Sequence, residues 1–196
     1  YFNVQDDTVI EVDITPNRAD AISHYGVARD LAAYFFSKGL PFGLTRPSVD
    51  DFKVDSTKSN IDNAVKNAEA CLRYAGVVVS GVTIKESPKW LQDTLNVIGI
   101  RPINNVVDIS NYLLHAFGQP LHTFDADKIE GDKIVVRTAQ EGEKFVTLDG
   151  VERTLCANDL MICDATKPMC IAGVFGGLDS GITDATTSVF IESAYF

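Results

Sequence analysis

Arg101, Asn111 and His122 are polar side chains inside one otherwise apolar stretch, RPINNVVDISNYLLHAFGQPLHTFDAD, residues 101–127. Val106, Val107, Ile109, Leu113, Leu114 and Phe117 surround them in sequence. A polar group buried without a partner costs about 1–3 kcal/mol. Three in one segment therefore point to a lined pocket rather than plain packing. Asn111 follows Val107 by four residues and precedes Leu114 by three, which places all three on one helical face. An amide there either stitches the helix to a neighbouring backbone or meets a ligand. His122, just after Gly118-Gln-Pro-Leu, is either a satisfied structural residue or a proton shuttle and water-positioning group. Arg101 precedes Pro102 at the mouth of the helix. It suits a surface ion pair, or a contact to an anion helped by the helix N-terminus.

Glu192 gives a second signal. It sits in Phe190-Ile-Glu-Ser-Ala194, where strand alternation puts it on one face with Phe190 and Ala194. A carboxylate on an apolar face must be paired, for instance with an arginine, or meet a ligand hydroxyl. The turn Ala172-Gly-Val-Phe-Gly-Gly177 brings Gly173, Gly176 and Gly177 together, and glycines let a backbone approach a ligand closely. It is neither a Walker loop nor a dinucleotide fingerprint. The chain has no Gly-x-Ser-x-Gly elbow and no evident Cys–His pairing, so covalent catalysis lacks a candidate. Cys71, Cys156, Cys163 and Cys170 form no Cys-x-x-Cys pair, and zinc is not expected. They read as small buried thiols in a reducing cytoplasm.

These residues need elements to hold them. Thr8–Ile14 alternates as a half-buried strand. Asp20 or Ser23 caps a helix running to about Phe36 that Gly39 closes, and Gly39–Pro47 reads as a linker. The region 49–70 is polar, with a short strand at 52–54 and a weak helix over 60–69. GVVVSGVTI within 73–84 reads as a buried strand. Ser87-Pro88 opens a helix that Gly99 ends, and the next helix spans about 102–117 before Gly118. Strands follow at 132–138, 160–163, 169–174 and 188–196. A hairpin at 145–155 turns on Asp149-Gly150. Helices early and strands late predict an α+β fold with mixed, largely antiparallel sheets and packed helices. The domain boundary is expected near Pro47, with residues 1–47 ending a preceding module and residues 48–196 forming the main domain. The chain opens and stops abruptly, on Tyr1-Phe2-Asn3 and the strand-like 189–196, and is expected to be a piece of a longer polypeptide.

Composition agrees with a globular domain, 45% hydrophobic and 22% charged. No run reaches the length of a membrane span. The formal charge of −10 repels phosphate backbones, and no Lys/Arg cluster offers a groove for nucleic acid. Any nucleic-acid contact is expected to be confined to something like one strand end.

ITPNRAD with GVARDLA, then RPINNVVDISNY, GQPLHTFDADKI, GEKFVTLDG, IAGVFGG and FIESAYF occur in this order. Together they resemble the β subunit of bacterial phenylalanyl-tRNA synthetase over nearly the whole chain, apart from residues 49–70. The resemblance implies the editing domain and its fold, with the end of the preceding module in front. It implies a cytoplasmic α2β2 enzyme that joins phenylalanine to its tRNA with ATP and magnesium, its synthetic site mainly on the α subunit and outside this stretch. No cofactor or metal is implied for this stretch itself. The editing domain would take the tRNA 3′ end and hydrolyse tyrosine wrongly esterified to phenylalanine tRNA. The family's editing residues fall on Arg101, Asn111, His122, the Gly173–Gly177 loop and Glu192, with Ala194 beside it. Glu192 would accept the tyrosine phenol, Asn111 and His122 would orient the ester or the attacking water, and Arg101 would touch the RNA end. A hydrophobic pocket rejects an isostere bearing one extra hydroxyl only about a hundredfold, which gives a second, hydroxyl-reading site its use. The alternative is a structural or RNA-binding module with no activity of its own. A freestanding small-molecule hydrolase fits the abrupt ends poorly.

Overall fold

A computed structural model describes residues 8–56 and 60–196. By packing, the chain divides into two compact units. One runs to Asp51 and takes in Glu86–Pro120; the other comprises Phe52–Lys85 and Leu121–Phe196.

The first unit is built on three helices, α1 (His24–Ser37), α2 (Lys89–Val97) and α3 (Asn105–Phe117). Ser23 starts α1 by accepting the Gly26 N–H at 2.9 Å, and Gly39, at φ +63°, follows its end. Asn104 starts α3: its side-chain oxygen accepts the Val106 and Val107 N–H groups at 3.1 and 3.0 Å. Gly118 ends α3 in the left-handed region, returning its N–H to Leu114. Trp90 meets Tyr112 edge-on between α2 and α3, and Tyr25 meets Phe117 between α1 and α3. The most buried residue of α3 is Asp108, with no exposed surface. It accepts hydrogen bonds from Ser87 Oγ at 2.5 Å and from the Ile103 N–H at 2.8 Å.

The second unit carries the sheets. β1 (Asp62–Val65), β4 (Lys133–Thr138), β7 (Leu160–Cys163), β8 (Pro168–Ile171) and β9 (Phe175–Gly176) form a five-stranded sheet in that order. Only the β1–β4 pairing is parallel within it. β2 (Arg73–Ser80), β10 (Ser188–Tyr195) and β3 (His122–Asp125) form an antiparallel three-stranded sheet with β10 in the middle. β5 (Lys144–Val146) and β6 (Glu152–Thr154) make the expected hairpin. The main core joins Phe124 and Phe190 from the smaller sheet to Ile134, Val136, Ile162 and Met169 from the larger. Phe145 of the hairpin packs with Met161 and Cys163 in a second cluster. The architecture is mixed α+β with predominantly antiparallel sheets, as expected.

Several local expectations are corrected. Residues 8–14 and 52–54 form no strand, and Val9, Ile10 and Phe52 stand exposed. Alternation gives an extended segment two faces, but a strand also needs a neighbouring backbone to complete its ladder. The weak helix over 60–69 is instead β1, which gains its ladder from β4, far along the chain. β2 is an edge strand, with Val77 and Val79 outward rather than buried. β3 and β9 carry no strand signal of their own: His122–Asp125 directly follows Gly118-Gln-Pro-Leu, and Phe175-Gly176 lies in the glycine turn. Cys156 is exposed; the other three cysteines are buried as read from the sequence.

Candidate functional site

His122 and Glu192 are direct partners across the β3–β10 ladder. Side chains of directly opposed residues leave the same face of a sheet. That face is the one carrying Phe124 and Phe190 into the core. Glu192 is only 5% exposed and accepts one hydrogen bond, from the Tyr74 hydroxyl to Oε2 at 2.7 Å. Burial raises its pKa to about 7, and the Tyr74 bond opposes part of that rise. Burial lowers the pKa of His122, which favours neutral imidazole with one unprotonated nitrogen. The His122 ring stands edge-on to Phe124, with centroids 4.5 Å apart. An acid that titrates near neutrality therefore lies next to a neutral base.

Gly176 lies against His122. A Cβ at Gly176 would come 3.2 Å from His122 Cε1. The other two glycines of the turn have different constraints. Gly173 holds φ +67°, which turns the chain between β8 and β9. Gly177 is closed in, and a Cβ there would meet Met169 O at 2.6 Å and Phe145 Cζ at 2.8 Å. The hairpin fixes the turn from its far side: Leu148 N–H donates to Gly176 O at 2.9 Å, and Leu178 N–H to Val146 O at 3.2 Å. Ala194 shares the Glu192 face and pairs with Tyr74 on β2.

His122, Glu192, Gly176 and Ala194 are thus assembled within the second unit. Asn111 and Arg101 belong to the first. Asn111 is half-buried on α3, one turn beyond Asp108, and its amide has no hydrogen-bond partner among the described residues. The stitching role open to it from the sequence is not the one it plays here. Arg101 is exposed. The helix N-terminus expected to assist it is already engaged, since Asn104 takes two of its N–H groups and Asp108 takes that of Ile103. Two cavities lie elsewhere. One in the first unit, of about 250 Å³, is lined by His24, Tyr112 and His115; one in the second, of about 200 Å³, by Lys128, Lys144 and Lys167. Neither is lined by His122 or Glu192. Sequence reading missed Tyr74 and Asp108. Tyr74 looks like an ordinary strand aromatic, and Asp108 like a first-turn acid of the kind that decorates many helices.

The chain belongs to the B3/4 domain family, whose pattern matches residues 70–196. Over its full length the chain is similar to phenylalanine–tRNA ligase beta subunits. That of Bacteroides fragilis (strain YCH46) is 66% identical over 196 residues, spanning 100% of this chain and 24% of that subunit. The Porphyromonas gingivalis subunit is 58% identical over 197 residues, again 100% and 24%. The Aquifex aeolicus subunit is 49% identical over 189 residues, 96% and 23%. The chain thus spans about a quarter of the length of the curated relatives it matches. Among solved structures, an N-terminal fragment of the phenylalanyl-tRNA synthetase beta subunit from Pyrococcus horikoshii superposes with a TM-score of 0.51. At 19% identity it covers 91% of this chain and 52% of that one, and it shares the fold.

Proposed function

We propose that this chain is the proofreading part of a phenylalanine–tRNA ligase beta subunit and hydrolyses tyrosine esterified to phenylalanine tRNA. The observation that carries this reading is the pairing of His122 with Glu192 on one buried face. A buried carboxyl rewards a ligand hydroxyl and leaves a phenylalanine ring nothing to satisfy it. Glu192 would receive the tyrosine phenol. His122, kept neutral by burial, would hold a water with its unprotonated nitrogen. The water oxygen bonds to the ester carbon, the bond from that carbon to the ribose oxygen breaks, and the ribose oxygen takes a proton. Tyrosine and intact tRNA are the products. No nucleophilic serine or cysteine is needed, because the ester is already reactive; a ribose hydroxyl of the terminal adenosine would assist. Gly176 leaves room beside His122 for the ester. The family resemblance also assigns Asn111 to the ester end and Arg101 to the RNA terminus; both stand in the first unit. The acidic balance of the chain suits reception of a tRNA 3′ end alone. ATP and magnesium would serve the synthetic site of the complete cytoplasmic α2β2 enzyme, outside this stretch.

The test uses the complete synthetase with Glu192→Ala or His122→Ala. Tyr-tRNA(Phe) deacylation should fall by about two orders of magnitude in His122→Ala, as for loss of a general acid–base or water-positioning group. Glu192→Ala should erase the preference for the tyrosyl over the phenylalanyl ester. Unchanged rates on both esters in both variants would instead make this a structural or RNA-binding module.

A further inference from the structure

We infer that Tyr74 is the positioning residue for Glu192: its hydroxyl occupies one carboxyl oxygen and thereby assigns the other to a second, incoming phenol. This rests on the reading of Glu192 as the phenol acceptor.

β10 runs between β2 and β3, so Glu192 has a neighbour on each side. On β3 it is His122; on β2 it is Gly76. Gly76 cannot carry a side chain, because a Cβ there would lie 2.1 Å from Phe190 Cζ. The β2 residue able to reach Glu192 is therefore Tyr74, two places along and opposite Ala194. A long aromatic side chain spans such a diagonal, and the small Ala194 leaves it room. The contact is short, 2.7 Å from the hydroxyl to Oε2.

Oε1 has no donor among the described residues. No fully buried side-chain oxygen among them lacks a partner, so Oε1 keeps some contact with solvent. The carboxyl is thus divided between an oxygen tied inward and an oxygen left open. Tyr74 is a durable donor. Burial, with the neighbouring Glu192, pushes its pKa far above the tyrosine range, so the O–H persists at any working pH. The remaining groups near Glu192 are weaker donors. Cys71, just before β2, and Cys170 on β8 are buried thiols whose pKa is raised by burial first and by Glu192 second. His122 on β3 is held neutral by burial. Tyr74 is also the group that opposes burial at Glu192, favouring the ionised carboxylate that accepts a phenol best.

Tyr74→Phe removes a single oxygen from a residue that stays packed. In the complete synthetase this variant should raise KM for Tyr-tRNA(Phe) about tenfold with a smaller change in kcat. Its activity should recover toward wild type as pH rises, because Glu192 would ionise only at higher pH. Phe-tRNA(Phe) turnover should not change. In the 196-residue chain, the Glu192 carboxyl carbon, assigned by its loss in Glu192→Gln, should titrate at higher pH in Tyr74→Phe than in wild type. If Glu192→Gln impairs tyrosyl discrimination while Tyr74→Phe leaves the pH profile, KM and titration unchanged, the inference fails alone. If Glu192→Gln leaves discrimination intact, the phenol-acceptor reading fails and takes the inference with it. A Tyr74→Phe variant that lowers kcat equally on both esters at every pH would mark a structural role and also overturn it.

Discussion

Gly176 and Gly177 are adjacent and look equivalent in the sequence, yet they meet different surroundings. At Gly176 an added methyl faces the edge of an imidazole 3.2 Å away, which can shift by a few tenths of an ångström. At Gly177 it faces a backbone carbonyl at 2.6 Å and the Phe145 ring, and the carbonyl belongs to a sheet strand. Gly177→Ala should therefore cost about 2 kcal/mol or more, whereas Gly176→Ala should cost less than about 1 kcal/mol. The milder variant should nonetheless move the His122 Cε1–H resonance and slow tyrosyl-ester hydrolysis. Urea unfolding and proton NMR of both variants read the difference. Equal destabilisation would mean that the turn, rather than the facing atom, sets the cost.

Elements show how a buried polar group can organise a helix rather than a ligand. Asp108 holds the Ser87 hydroxyl and the Ile103 N–H, joining the approach to α2 with the approach to α3. Gln92 adds a bond to the Ser87 carbonyl at 2.6 Å. This arrangement fixes the start of the helix that bears Asn111. Asp108→Ala would leave the buried Ser87 hydroxyl unpaired, worth about 1–3 kcal/mol, and would also release the Ile103 N–H. A loss of about 3 kcal/mol in urea unfolding is expected, against about 1 kcal/mol for removing the Asn104 cap in Asn104→Ala. Comparable losses in the two variants would show that Asp108 acts only as another cap. In the second unit the hairpin has the corresponding role. Its backbone bonds to Gly176 and Leu178 hold β9 where Gly176 meets His122.

At the scale of the whole chain, burial of ionisable groups sets the pH dependence of stability. Glu192 has a folded pKa of about 7, raised above its ordinary 4.5, so the fold favours its protonated form. Its contribution is complete below pH 4.5 and is lost as pH rises through 7, about 3 kcal/mol in total. His122, lowered by burial, acts in the opposite direction: stability falls as pH drops below 6.5. Glu192→Gln should remove the first dependence, gaining on wild type steadily between pH 4.5 and 7 in urea midpoints. A constant gap across that range would show that ionisation of Glu192 does not oppose the fold. The sequence sets the elements whose signals are local. Ser23 and Gly39 bracket α1, Gly118 ends α3, Asp149-Gly150 turns the hairpin, and the alternation around Glu192 sends it to an apolar face. It also marked Asn111, His122 and Glu192 as polar groups in apolar settings, and its ordered motifs carried the family resemblance. Whatever depends on a partner distant in sequence is settled in the folded chain. β1 exists because β4 lies beside it, while the alternating residues 8–14 form no strand. Gly76 is forced by the Phe190 ring, Tyr74 is brought to Glu192 across a ladder, and His122 is set opposite Glu192 by β3, an element too short to show a period. The physical reason is one of range: caps and turns are settled by neighbouring dihedrals, whereas pairing, burial and the pKa of a carboxyl are settled by whatever the folded chain sets beside it.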